Sequence, residues 1–155
     1  MRNIFKASSG NYLLYGQATT EIVSYESSLN YLGSAYTNTD NGAGNYYGML
    51  ELSDESFLLF GDFFNMGIVT KINSQYMIVW QKYYYDTSFT PSTGKFSSAH
   101  RTNNNKVVLL AQGESSGNKP CILSIDTLGN VLECKLIVST GINVCVKYGM
   151  IPGTL

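Results

Sequence analysis

The chain has 155 residues, of which 44% are hydrophobic and only 14% are charged, and its formal net charge at pH 7 is −1. Its lysines and arginines are scattered singly, whereas nucleic-acid binding depends on clustered cations that displace counterions from phosphates, so no nucleic-acid partner is expected. The apolar runs are only a few residues long, far from the roughly 20 residues that cross a bilayer, so no membrane partner is expected.

Ser, Thr, Asn and Gly take the place of the missing charged residues, a composition typical of strands and turns rather than solvated helices. No segment shows a sustained apolar period of 3.6 residues with helix caps. The sequence therefore predicts an all-β protein with essentially no helix.

The first unit, residues 1–40, predicts four strands. The candidates are Asn3 to Ala7, Asn11 to Gly16, Ile22 to Glu26 and Tyr31 to Tyr36. A polar turn, Ser8-Ser9-Gly10, separates the first two strands, and a longer loop follows the second. The order is therefore strand, tight turn, strand, variable loop, strand, turn, strand.

The same order recurs in the second unit, residues 41–90, and in the third, residues 91–138. The second unit has candidates at Tyr46 to Leu52, Ser56 to Gly61, Val69 to Asn73 and Ile78 to Tyr84. The third has them at Phe96 to Thr102, Lys106 to Ala111, Ile122 to Asp126 and Val131 to Val138. The second strands are offset by 45 and 50 residues and the third strands by 47 and 53.

A four-stranded meander that recurs at this spacing is typical of β-propeller blades. Strands such as Phe57-Leu58-Leu59-Phe60 are apolar on both faces, which favours blades stacked face to face over a sandwich with one wet face. We therefore predict one domain, 1–155, built of three consecutive four-stranded antiparallel blades. Residues 139–155, with the strand candidate Ile142 to Lys147, would begin a fourth blade or form a tail.

Three blades do not close a ring, since propellers have about four to eight. Three arrangements remain open: further blades of the same chain, self-association of copies through open blade faces, or an open array. We favour the first, in which these units are part of a larger propeller.

Two hairpins carry a family resemblance. Residues 71–82, with Trp80 and Lys82, and residues 124–135, with Asp126 and Gly129, resemble the hairpin of quinoprotein-like β-propeller repeats. The first unit keeps little of this pattern. The resemblance implies the fold only, because such repeats occur in enzymes, scaffolds and surface proteins alike.

The three cysteines, Cys121, Cys134 and Cys145, are too few and odd in number for a disulfide framework. If Asp126 pairs with Val131, Cys121 and Cys134 are not opposite each other, and the geometry for a bridge is poor. We expect buried thiols. No metal-ligand spacing occurs, and no metal or cofactor is expected.

No catalytic constellation is evident. His100 is the only histidine and is predicted to lie in a strand, without a Gly-x-Ser-x-Gly elbow elsewhere. Carboxylates that could serve glycoside hydrolysis are Asp40, Glu51, Asp54, Glu55 and Asp62. Asp54 and Glu55 belong to a tight turn, where such residues cap the backbone.

The segment Asp62-Phe63-Phe64-Asn65 is the candidate ligand-binding loop. Aromatic side chains in a loop are unusual unless they pack or bind, and Asp62 and Asn65 could anchor a peptide or a sugar. The alternative is that Phe63 and Phe64 pack against a neighbouring blade. We expect a non-enzymatic binding or scaffolding module with a protein or carbohydrate ligand. The alternatives are a fragment of a propeller enzyme, glycosidase or quinoprotein-like, with its active site elsewhere, and a self-assembling structural repeat protein.

Overall fold

A computed structural model describes residues 2–16, 21–36, 44–64, 66–86, 95–111, 120–138, 141–144 and 148–152. These residues form fourteen β-strands and no helix, which confirms the all-β prediction. Across these ranges, no helix is long and apolar enough to cross a membrane.

Three antiparallel sheets, which we call blades 1 to 3, each contain one predicted four-stranded meander. Blade 1 consists of β1 (Arg2–Lys6), β2 (Tyr12–Gly16), β3 (Glu21–Tyr25) and β4 (Tyr31–Tyr36). Blade 2 begins with β5 (Asn45–Glu51), β6 (Phe57–Phe63), β7 (Met66–Ile72) and β8 (Ile78–Asp86). Blade 3 begins with β9 (Phe96–Arg101), β10 (Val107–Ala111), β11 (Cys121–Ile125) and β12 (Val131–Val138). Each meander pairs its strands in chain order, as predicted for open propeller-like blades.

Within the segment predicted to begin a fourth blade or form a tail, residues 141–144 and 148–152 add one strand each to blades 3 and 2. β13 (Gly141–Val144) pairs with β12, and β14 (Tyr148–Pro152) pairs with β8. Only two residues separate β12 from β13, so the nearest open edge is that of β12 itself. Each added strand satisfies main-chain groups on an outer edge that four strands would leave unpaired.

The tight turns reproduce the repeat in backbone detail. The turn between the first two strands of each blade ends on a residue with positive φ, as does the turn between the last two. The first set is Gly10, Glu55 and Asn105, and the second is Leu29, Tyr76 and Gly129. The second set follows the sequence offsets of 47 and 53 residues, and each member donates its main-chain N–H to the carbonyl three residues earlier. Leu29 and Tyr76 therefore adopt the same positive-φ turn geometry as Gly129, although they are not glycines.

The blades stack face to face through two apolar clusters. The first joins Leu13, Tyr15 and Ile22 of blade 1 to a set in blade 2 that includes Leu59 and Ile68. The second joins the opposite side of blade 2 to blade 3. Its members include Leu58, Phe60, Val69, Tyr84, Phe96, Val107, Leu109, Leu123 and Ile125. We call the side of a blade that faces the preceding blade its front and the other side its back.

Blade 2 is therefore the core of the molecule. Every residue of β6 is buried, and so is every residue of β7 after Met66. Each fully buried Leu, Ile or Phe contributes about 1.5–3 kcal/mol of transfer free energy, so two-sided burial concentrates stability in this sheet. The two-faced apolar pattern of Phe57-Leu58-Leu59-Phe60 is explained by this position.

The cysteines match the expected register. Cys121 lies opposite Leu136, and Cys134 lies opposite Leu123. Both cysteine side chains are buried. Cys145 lies outside the described residues.

Candidate functional site

The two ends of the blades differ. One end holds the uniform tight turns, and the other holds the connections from the second to the third strand of each blade. Within the described residues, β6 has seven residues, whereas the corresponding strands β2 and β10 have five. The candidate residues Asp62 and Phe63 end β6, and Phe64 follows it. The segment is a hairpin tip rather than a long loop, because Phe63 pairs directly with Met66.

Asp62 belongs to β6 and is buried at 8% exposure. The side-chain amide of Asn45, directly opposite on β5, donates to its Oδ2 at 3.3 Å. Its Oδ1 is buried and has no hydrogen-bond partner among the residues that the structure describes. A buried carboxylate oxygen without a partner is costly and needs an explanation.

Phe63 and Phe64 point to different environments. Phe63 is buried on the front of blade 2, with its ring 5.2 Å from that of Tyr83. Phe64 is 78% exposed, and its ring meets that of Phe63 edge to face at 4.5 Å. The structure thus places Phe63 in the core and Phe64 at the surface. Asn65 lies outside the described residues.

The backbone explains why the two rings separate. Phe64 has φ of 45°, the left-handed region that bulky residues rarely adopt. A two-residue hairpin connection needs positive φ at its first position, because only primed turns match the twist of the flanking strands. The turn therefore holds the Phe64 ring outward.

Two of the other candidate carboxylates, Asp54 and Glu51, have structural contacts. Asp54 accepts hydrogen bonds from Ser56 and forms a 2.9 Å ion pair with Lys71. Burial alone would raise the pKa of Asp54, but the hydrogen bonds from Ser56 and Lys71, together with the lysine charge, lower it to about 2. Glu51 accepts two hydrogen bonds from Ser8 across the interface of blades 1 and 2.

Two other candidates lie apart from these. His100 is exposed on β9, opposite Val108. Asp40 lies outside the described residues. In the described ranges, no group of three or more His, Cys, Asp or Glu side chains is placed to hold a metal ion.

Sequence reasoning missed a contact between blades 2 and 3, which we call the latch. Lys82 Nζ donates to the Leu128 carbonyl at 2.6 Å and to Asn130 Oδ1 at 3.3 Å, and its charge lies over the Trp80 ring. The 126–130 turn is folded by Asp126, whose Oδ1 accepts from the Asn130 main-chain N–H at 2.8 Å. The signal in the sequence was the pattern that residues 71–82 and 124–135 share.

Comparison with known proteins adds information at the level of fold. No protein-family description matches the chain, and no curated protein matches it. A crystal structure of a protein of unknown function from Bacteroides caccae is similar, with a TM-score of 0.61 and 17% identity. The match covers 96% of this chain and 53% of the other, so this chain spans about half the length of that solved chain. The likeness shows a shared all-β fold.

Proposed function

We propose that the chain is a non-enzymatic binding or scaffolding module, part of a larger β-propeller, with a ligand site at the tip of the β6–β7 hairpin. The observation that carries the proposal is Phe64, a large aromatic side chain at 78% exposure in a positive-φ conformation. The hairpin turn holds this ring at the surface, and large aromatic side chains exposed at a surface tip are typical of interaction sites.

The site combines an apolar surface with a carboxylate. The Phe64 ring packs edge to face on Phe63, which already restricts its rotamers. Stacking on a ligand would therefore cost little additional side-chain entropy. The carboxylate of Asp62, two residues before Phe64, is buried at 8% exposure and has an oxygen without a partner in the described part of the chain, so a ligand would reach it only if the tip moved. A ligand that offers an apolar face to the exposed Phe64 ring fits this arrangement. Sugars and peptides both have that chemistry.

The contacts of the other carboxylates support binding over catalysis. Asp54 is engaged in a turn and an ion pair with Lys71, and Glu51 is engaged in an interblade contact, both structural roles. The larger propeller is supported by the solved chain, which is about twice as long as this one. At one blade per 45 to 53 residues, that length has room for about six blades, within the closed range.

Binding to an oligosaccharide array and to a peptide array tests the proposal. We expect wild-type protein to bind members of one array and Phe64→Ser to weaken that binding by about tenfold or more, the loss of one stacked ring. Met77→Ser is the matched control, since Met77 is 64% exposed at the opposite end of the same blade. Absence of binding to both arrays, or equal losses in the two variants, would refute the site.

A further inference from the structure

Because the blades are repeats, each strand residue has an equivalent position in the other two blades. Comparison of these positions shows that the front of blade 1 and the back of blade 3 are not covered by another blade in the described structure. The front of blade 2 packs on blade 1, and the front of blade 3 packs on blade 2. The front of blade 1 has the same kind of residues but no neighbour in the described structure. Ile4 is 69% exposed, whereas Met49, at the same position of blade 2, is 8% exposed. Leu14 and Val23 lie beside Ile4 in adjacent strands.

The back of blade 3 is the complementary open face. Its centre holds Val108, Leu110 and Ile122, all partly exposed. The same positions of blade 2 are Leu58, Phe60 and Val69, which are at most 5% exposed because blade 3 covers them. An apolar centre at both ends of a stack is typical of surfaces that meet a partner.

The residues at the latch positions favour a second copy of this chain as the partner of these two faces. The latch joins a lysine on the back of one blade to the turn of the next, and in blades 2 and 3 these residues are Lys82 and Asn130. The corresponding positions between blades 1 and 2 are Ala35 and Met77, which cannot form it. The open back of blade 3, however, has Lys135 at the lysine position, and the turn of blade 1 has Asn30 at the asparagine position.

The charges agree with this pairing. Asp126 folds the turn that accepts Lys82, and Glu26 occupies the same position in the turn of blade 1. Glu26 accepts hydrogen bonds from the side chains of Ser28 and Asn30, and the contact from Asn30 corresponds to the one that the Asn130 side chain donates to Asp126. Lys135 of blade 3 has its charge next to Glu133 at 2.8 Å within the chain. An incoming Glu26 would offer Lys135 a second carboxylate.

We propose that the front of blade 1 docks onto the back of blade 3 of a second copy of this chain, and that two copies close a ring through two such interfaces. Front-to-back contact is heterologous, and heterologous contacts generate closed rings when the rotation allows. Two copies supply about six blades, within the range that closes. The back of blade 3 and the front of blade 1, which would meet, have the latch lysine (Lys135) and the latch asparagine (Asn30). The proposal concerns faces away from the β6–β7 tip and is independent of ligand binding there.

The mass of the 155-residue protein in solution is the first test. Analytical ultracentrifugation from micromolar to near-millimolar concentration should show a species of twice the chain mass. A strict monomer over that range would overturn the proposal and indicate that other blades cover these faces. A series of masses that grows with concentration would also overturn it, because an open array does not stop at two copies.

Paired variants test the geometry. Ile4→Glu alters only the front face and Lys135→Glu only the back face, and each should raise the dimer dissociation constant by about tenfold or more. In a mixture of the two variants, one interface joins an unaltered front to an unaltered back, so heterodimers should form through it even though the second interface carries both substitutions. A front-to-front dimer would be unaffected by Lys135→Glu, and that result would contradict the proposal.

A charge exchange provides the specific readout. Adding Glu26→Lys to Lys135→Glu should restore association at least in part, since the opposite charges are then only exchanged between the faces. Gln75→Glu, in the exposed turn of blade 2, is the control and should leave the dissociation constant unchanged. Thermal unfolding of each variant separates lost association from lost folding. Failure of the exchange, with both proteins folded, would exclude the latch between copies.

Discussion

The Tyr84 hydroxyl of blade 2 donates a hydrogen bond to the Gly129 carbonyl of blade 3 at 2.9 Å. Burial, with the negative charge of Asp126, raises the pKa of Tyr84, so the hydroxyl keeps its proton and remains a donor throughout the physiological range. Together with the two bonds from Lys82, this contact fixes an outer strand of one blade against a turn of the next. The blades are therefore joined by specific polar contacts as well as by apolar surface.

Gly129→Ala should destabilise the protein by about 1–3 kcal/mol. Gly129 has φ of +77°, and an added Cβ would lie 2.9 Å from both Trp80 and Lys82. Gly10→Ala is the matched control, since its φ is +91° but nothing lies within 4 Å of the added Cβ. Urea unfolding should show the larger loss for Gly129→Ala. Equal losses of unfolding free energy in the two variants would mean that the positive φ alone destabilises Gly129→Ala, with no contribution from crowding between the blades.

Phe63→Ala should cost about 3–5 kcal/mol of unfolding free energy, because it empties a buried site beside Tyr83. Phe64→Ala should change the unfolding free energy by less than about 1 kcal/mol, because the ring is mostly in solvent. Chemical denaturation of the two variants measures the contrast. A large loss for Phe64→Ala would place that ring in a core and remove the basis for the proposed site.

Met49→Ala should lower the unfolding free energy by about 2–5 kcal/mol, since Met49 is packed between blades 1 and 2. Ile4→Ala, at the equivalent position on the open front of blade 1, should cost much less when measured at low protein concentration. At high concentration its cost should increase, because association would then cover Ile4. Urea titrations at two concentrations make the comparison, and a concentration-independent result for Ile4→Ala would count against association through this face.

Stability should fall in acid as Asp54 is protonated. Its folded pKa of about 2 lies below its ordinary value of 3.8, so its contribution is complete above about pH 4 and disappears as the pH falls through 2. The carboxylate is 57% exposed, which limits the effect to about 1 kcal/mol or less. The stability difference between wild type and Asp54→Asn should therefore shrink from pH 5 to pH 2. Lys71→Met should reduce the pH dependence only in part, because the hydrogen bonds from Ser56 also lower the pKa of Asp54, and an unchanged profile in that variant would exclude a contribution from the ion pair.

The sequence predicted the fold because the information for a blade is local. Strand patterns and turn signals lie within each unit, and the structure confirms the strand order and the register that separates Cys121 from Cys134. The position of β14 could not be predicted in this way. Its apolar pattern indicates a strand but contains nothing that selects β8, which lies more than sixty residues earlier, as its partner.

The candidate site shows the same limit at the scale of single side chains. Phe63 and Phe64 are adjacent and identical in type, so the sequence offered no way to tell which ring packs and which is exposed. Pairing between Phe63 and Met66 decides it, by forcing Phe64 into the turn. The latch was equally hidden, because Lys82 and Asn130 are 48 residues apart and meet only when the blades stack.

The two-sided burial of blade 2 has a kinetic consequence. Within each four-stranded meander the pairings join consecutive strands, so each meander can form without waiting for distant segments, whereas the pairing of β14 with β8 joins segments more than sixty residues apart. Packing against both neighbours stabilises blade 2, whereas blades 1 and 3 are each stabilised by one neighbour. Opening should therefore start at the ends of the stack. Amide hydrogen exchange should be slowest along β6 and β7, where proton exchange requires the loss of both interfaces at once.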